Sequence, residues 1–332
     1  MKVWFCLFAV SWTFAQNIVF VHLGNSAPDC LFTVVKQARY FNPTIPIYLL
    51  ADKQAFVNQA EFFVENHVDC VDTAEIPFTE EHLNFLKVNR IASSISNGFW
   101  VYASERFFTL FDFLMFKELK DVFHLENDCM LYAEVSELLP LFETAQLAAP
   151  FQSRSGCIPC FVFIRNRESM VPLIDHMIAE MVNYRGVRPH IYVNDMQTLA
   201  SFYKKFGAKS LLPLPTLMPE YGKYHSQRKS IFPQDNSTHL SFLWEYAELF
   251  PEILFDAAGL GIFLNGNDPR ISPGCGPGTV HSRCLFNPRF FTYWWGCDSQ
   301  GRSIPYLSFK EKNYRIINFH FHSKKPDDYT SY

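Results

Sequence analysis

Three short apolar runs, each stopped by turn-forming or acidic residues and joined by stretches of helical period, constrain this chain more than any other feature. They are Asn17-Ile-Val-Phe-Val-His-Leu-Gly24, Ile45-Pro-Ile-Tyr-Leu-Leu-Ala-Asp52 and Asp121-Val-Phe-His-Leu125. Strands that are apolar on both faces belong to parallel sheets covered by crossover helices. The segments between them fit: a helical pattern from about Leu31 to Phe41, a helix capped by Thr79 with Glu80 and Glu81 in its first turn running to about Ser94, and a longer helix over roughly Val101 to Leu119. The second half keeps the mixed character, with a strand at Cys160–Ile164 and helices over Ser169–Met181, Asp195–Phe206 and about Leu254–Leu264. Proline-rich loops are expected over Leu211–Ser241, and a last strand over Arg315–His322. The expected fold class is α/β, a mixed Rossmann-like sheet flanked by helices, in one domain from 16 to 332.

Composition narrows the function. Of 332 residues, 48% are hydrophobic and 19% charged, enough for a large core. Lys plus Arg is 29 against 33 Asp plus Glu, without a basic run, which argues against nucleic acid as a partner. Met1–Ala15 reads as a signal peptide, since the apolar run stops at Gln16 and Asn17, short of the roughly 20 residues that span a bilayer. The expected location is therefore the secretory pathway (ER or Golgi lumen) or outside the cell, and the Asn236-Ser237-Thr238 sequon fits glycosylation there. Eight cysteines remain after residue 15, to be read as disulfides or as buried thiols; Cys157-Ile-Pro-Cys160 lacks the second tight pair of a zinc cluster.

The segment Asp121–Met130 carries the chemistry. Apolar residues lead directly into Glu126 and Asp128, which as i and i+2 on extended backbone face the same way and can share one Mg or Mn ion. Acidic turns after strands are also ordinary strand ends. Arg106, on an otherwise apolar helix, needs a partner: Glu105, Asp112, or the anionic site itself. His320 and His322 share a strand face beside Lys324 and Lys325, either as imidazole ligands or as half-buried core histidines.

Together Val101-Tyr-Ala-Ser-Glu-Arg106, the helix that follows and the strand into Glu126-Asn-Asp128 resemble the arginine helix and D-x-D motif of GT-A-fold nucleotide-sugar glycosyltransferases, with Glu in the first acid position. The ending His320-Phe-His-Ser-Lys-Lys325-Pro326 is similar to the H-x-G-x-x-K-P ending of the glycogenin and galactinol synthase-like group, with His322 where glycine is usual, and Asn194-Asp195-Met196-Gln197 to its D-Q-D segment. The resemblance implies a metal-dependent hexosyl transfer. Mn or Mg would be held by Glu126, Asp128 and a histidine, His320 or His322, with Lys324, Lys325 and Arg106 near the diphosphate. His22, Gly24, Asn25 and Asp52 would meet the nucleoside, and Asp195 or Asp256 the sugar or a proton. The implied partners are a nucleotide-diphosphate sugar and a glycan, protein or small-molecule acceptor. Two rival readings stand beside it: a glycosyltransferase-like domain that binds without turnover, and a zinc hydrolase built on His320, His322 and the cysteines.

Overall fold

The computed structural model describes residues 16–89, 99–187, 194–226, 240–268 and 274–332. Its strands are β1 (Asn17–His22), β2 (Ile47–Ala51), β3 (Val68–Asp72), β4 (Val122–Leu125), β5 (Cys129–Leu131), β6 (Leu147–Ser153) and β7 (Gly156–Cys157). They continue as β8 (Phe161–Ile164), β9 (Leu212–Leu214), β10 (Ile253–Leu254), β11 (Thr292–Cys297), β12 (Ser303–Phe309), β13 (Lys312–Ile316) and β14 (Asn318–His320).

The central sheet runs β3-β2-β1-β4-β8-β6-β7, with β9 beside β6. Its first four strands are mutually parallel, while β8 is antiparallel to both β4 and β6. Ile18, Val19 and Phe20 are fully buried, as are Leu49, Leu50 and Ala51, which is why these runs are apolar at every position and do not alternate. The parallel register brings the carboxyl ends of β1, β2 and β4 to one edge, with His22 opposite Ala51 and Phe20 opposite Leu125. In open α/β sheets that edge is where ligands bind.

The helices follow the expected pattern at Asp29–Phe41, Glu80–Val88, Phe99–Lys117, Arg167–Val187 and Asp195–Phe206. The hydroxyl of Thr79 accepts from His82 N at 3.2 Å, closing the N-terminus of its helix as expected; the stretch from 90 to 98 that was expected to continue it lies outside the described residues.

Three expectations need correction. Leu254–Leu264 is no continuous helix: β10 ends at Leu254, Ala258 takes a left-handed φ of 69°, and the helix begins at Gly259. Asp256 forces the break by accepting the first free N–H groups of that helix, from Leu260 at 2.9 Å and Gly261 at 2.8 Å. Arg315–His322 divides between two sheets: β13 joins a four-stranded sheet ordered β10-β13-β12-β11, and β14 pairs antiparallel with β5. The loop expected over 211–241 contains β9 and a helix at Pro219–Ser226, and its sequon lies outside the described residues.

Cys30, Cys129, Cys157 and Cys160 are buried free thiols, whereas Cys70 and Cys275 are half-buried and Cys297 is exposed, so the buried-thiol alternative describes only part of the set. Cys129, Cys157 and Cys160 fill core positions, and the thiols of Cys157 and Cys160 donate to the carbonyls of Pro150 and Asp256. Among the described residues no helix is long and apolar enough to cross a membrane; the segment expected to be a signal peptide lies outside them.

Candidate active site

The pairing of β5 with β14 builds the site. Cys129 stands opposite His320 in that ladder, and the Phe321 N–H donates to the Asp128 carbonyl at 2.9 Å. A residue nearly two hundred positions further along the chain is thereby locked beside the acid pair that follows β4. His320 Nε2 lies 3.1 Å from a Glu126 oxygen and 3.3 Å from Asp128 Oδ1. One ligand atom from each of Glu126, Asp128 and His320 lies within 4.8 Å of the others. Ligands at roughly 2.1 Å around an octahedral cation are separated by about 3–4 Å, so this trio has the spacing and the oxygen-and-imidazole chemistry for Mn or Mg. Among the described residues it is the sole cluster of this kind. No cysteine belongs to it, and the zinc centre built on His320, His322 and thiols does not assemble.

His322 is placed differently from its neighbour. Its ring packs against that of His320, with centroids 4.4 Å apart, but it stays outside the ligand cluster. Burial, with the His320 charge beside it, pushes its imidazole down to about 3, so it is neutral at ordinary pH. His320 behaves in the opposite way. Burial alone would lower it, but the Asp128 carboxylate outweighs that and holds it well above the usual imidazole range.

Fixed cations surround the acids. Arg106 forms ion pairs with Glu126 and, at 2.7 Å, with Asp195 Oδ2. Of its three possible partners it therefore meets the anionic site; Glu105 and Asp112 go instead to His82. Burial raises the cost of ionising Glu126, yet the Arg106 guanidinium keeps its carboxyl well below the usual range. Lys324 Nζ ion-pairs with Asp128 Oδ2 and helps to hold that buried carboxyl low as well. Lys325 points to solvent, with its backbone carbonyl accepting from Asn265 Nδ2 at 2.5 Å.

At the carboxyl edge of β1, the Nε2–H of His22 donates to the Ser26 carbonyl at 2.8 Å. Its Nδ1 accepts from Asn127 Nδ2 at 2.9 Å, a tautomer assigned from these partners. The bond ties the first strand's loop to the acid turn. Gly24 takes a φ of 156°, a backbone conformation that residues with side chains rarely adopt, and Asn25 is exposed beside it. Asp52 ends β2 and accepts from Gln54 N at 2.8 Å, capping the turn that follows.

The two carboxylates assigned from sequence to sugar contact or proton transfer have their oxygens engaged. Asp195 accepts from Arg106 and, at 2.9 Å, from Met196 N. Asp256 is 1% exposed and accepts three backbone N–H groups, from Leu260, Gly261 and His320. That arrangement makes Asp256 the peg joining a helix start to β14, and no proton acceptor for a substrate.

Comparison with known proteins adds a limited finding. No family model matches the chain, and no curated protein matches it. Solved structures of similar shape include glycosyltransferases. Mouse xyloside xylosyltransferase 1 is 11% identical, with 64% of this chain and 91% of that one covered at a TM-score of 0.44. The galactosyltransferase LgtC is 16% identical over 68% and 83% at 0.40. Core-mannan synthase A from Aspergillus fumigatus, in its Mn/GDP form, is 9% identical over 61% and 73% at 0.44. At this distance the likeness carries no weight for activity.

Two residues escaped the sequence reading. Asn127 sits between the paired acids and bonds His22, and Asn318 donates to the Asp256 carbonyl at 3.2 Å with its amide near the Cys129 and Cys160 sulfurs. Neither has a chemical signature in one dimension: an asparagine in a turn or strand reads as turn chemistry.

Proposed function

We propose that this protein is a glycosyltransferase that takes a sugar from a nucleotide-diphosphate donor and passes it to a glycan, protein or small-molecule acceptor. The observation that supports it is the meeting of Glu126, Asp128 and His320 with Arg106 and Lys324 at the carboxyl edge of the parallel strands. A divalent cation held by the first three would offset the negative charge that grows on a departing diphosphate.

The chain's own residues supply the rest. Glycosyl transfer passes through an oxocarbenium-like state, so positive charge gathers on the sugar while negative charge gathers on the leaving group. Arg106, fixed between Glu126 and Asp195, is a preset cation next to the acid pair, and fixed charges stabilise a transition state without reorganising. Asp195 acts through Arg106 as its positioning residue. Lys324 and Lys325 bring two further positive charges on one loop, suited to phosphate oxygens. The His22–Asn25 loop and Asp52, on neighbouring strand ends, form the side where the nucleoside is received.

The test is a screen of nucleotide-sugar donors for hydrolysis and transfer in the presence of Mn2+. Asp128→Ala should lower turnover by about 10²–10³-fold while leaving the far-UV signal unchanged. Wild-type rates in that variant would overturn the reading.

A further inference from the structure

Cys157-Ile-Pro-Cys160 is conspicuous in the sequence, yet neither thiol joins the acid cluster. Cys160, fully buried directly before β8, sits at the junction that holds His320. Its S–H donates to the Asp256 carbonyl at 3.3 Å. The Asn318 amide donates to the same carbonyl at 3.2 Å and comes within 3.7 Å of the Cys160 sulfur. The Asp256 carboxylate in turn accepts from His320 N at 3.0 Å, so thiol and histidine are tied to one residue. The Cys160 sulfur also stands within hydrogen-bonding reach of the His320 ring.

The two nitrogens of that ring have different surroundings. Nε2 lies among the acids, 3.1 Å from Glu126 and 3.3 Å from Asp128. Nδ1 is buried, and no oxygen or nitrogen satisfies it. A neutral imidazole offers a cation the lone pair of one nitrogen only when its proton sits on the other. With that proton on Nε2, the ring would donate to the carboxylates and could not act as a ligand. With it on Nδ1, the ring carries a buried donor, which is costly without an acceptor. The Cys160 hydrogen is already engaged by the Asp256 carbonyl, so toward the ring its sulfur has lone pairs to offer and no proton.

We propose that Cys160 is a positioning residue of the cation site: its sulfur accepts the Nδ1 proton of His320 and so leaves the Nε2 lone pair directed at the cation shared with Glu126 and Asp128. The proposal rests on the function put forward above and adds a residue to it. Ligating imidazoles ordinarily give their second N–H to a carboxylate, a carbonyl or water, which fixes the tautomer and the ring plane. Here a buried thiol takes that place. Asp256 supports both partners, through its carbonyl on the thiol and its carboxylate on the His320 backbone. Cys129 is the natural control, because it is equally buried and its sulfur is 3.5 Å from the same Asn318 amide.

Binding of Mn2+ in the presence of UDP or GDP, followed by electron paramagnetic resonance of the free ion, tests it. Cys160→Ala should weaken Mn2+ binding by about tenfold or more, while Cys160→Ser, which keeps a donor and acceptor, and Cys129→Ala should stay within about threefold of wild type. Nuclear magnetic resonance of 15N-histidine protein with Mg2+ and the same nucleotide reads the ring directly. The His320 signals, assigned by their loss in His320→Asn, should show the proton on Nδ1, and that proton's resonance should move in Cys160→Ala and stay in place in Cys129→Ala. A proton on Nε2 in wild type overturns the proposal even where a variant fails to fold. So do wild-type affinity in Cys160→Ala, an equal loss in both alanine variants, or a serine variant as weak as the alanine one. The underlying function is judged separately: Mn2+ binding in wild type that Asp128→Asn abolishes upholds the site even if Cys160 plays no part. Absence of Mn2+ binding in wild type sinks both.

Discussion

Individual side chains in this protein are held by charge to a degree that its modest charged fraction conceals. Asp112 is an example outside the site. It is 1% exposed, accepts from Thr79 N at 3.0 Å and meets His82 Nδ1 at 2.5 Å, so it fixes the helix start on which Thr79 acts as the cap. Burial would depress the His82 imidazole, but Asp112 and then Glu105 more than offset this and raise it above 6.5. The sign follows from linkage: a raised folded-state value means a stabilising contribution present in full below the unfolded value and lost as pH climbs through the folded one. Urea midpoints should therefore decline from about pH 6.5 upward. Asp112→Asn should flatten that decline and cost about 3 kcal/mol or more at pH 6, as breaking a buried pair does. A variant with the wild-type slope would contradict the assignment.

Among the elements, the two-stranded β5–β14 ladder matters most, although each strand is three residues long. So short a ribbon is not stable by itself. It is braced by Asp256, whose carboxylate accepts from His320 N at 3.0 Å, and by the helix start at Gly259–Gly261 pressing against the same backbone. Gly261 has no side chain because the His320 carbonyl occupies the space; a methyl group there would overlap backbone atoms that have nowhere to go. Gly261→Ala should shift β14 away from Asp128 and lower Mn2+ affinity by at least about tenfold, with stability falling by roughly 1–3 kcal/mol. Unaltered metal binding would show that the ladder does not set the position of His320.

At the scale of the whole molecule, the parallel half of the sheet presents one ligand edge and the C-terminal segment returns to complete it. Ligands that bind only this completed arrangement stabilise it by mass action. Mn2+ together with a nucleoside diphosphate at about 100 times the dissociation constant should add about 2.7 kcal/mol, read as a rise of some degrees in Tm. The rise should vanish in His320→Ala. An equal rise in that variant would place the ligands elsewhere, for instance in the open cleft of 690 Å³ that Trp244, Glu220 and Tyr314 line away from the acids.

The same three scales divide what could be foreseen. Strands β1, β2, β4 and β8 were legible because a two-face-buried strand must be apolar throughout, and Glu126 with Asp128 because two acids straight after such a run are costly unless paired or solvated; β6 and β9, equally buried, were not foreseen. The β11–β12 hairpin was not foreseen. Its outer strand, Thr292–Cys297, carries exposed Trp294 and Trp295, and so lacks the inward-apolar alternation that marks a strand from sequence. Asp256 was misplaced for another reason: a carboxylate that caps backbone and one that serves chemistry are written with the same letter.

Local order in this chain is set by its own neighbours along the backbone, through period, capping and the burial that apolar runs demand, and so strands β1, β2, β4 and β8 and the acid pair were legible from the order of residues alone. Which histidine faces the acids, whom Arg106 meets and where Lys324 rests were decided only by folding. Those contacts join positions up to about two hundred residues apart, and a contact of that range depends on the register of a short ladder that no nearby residue specifies.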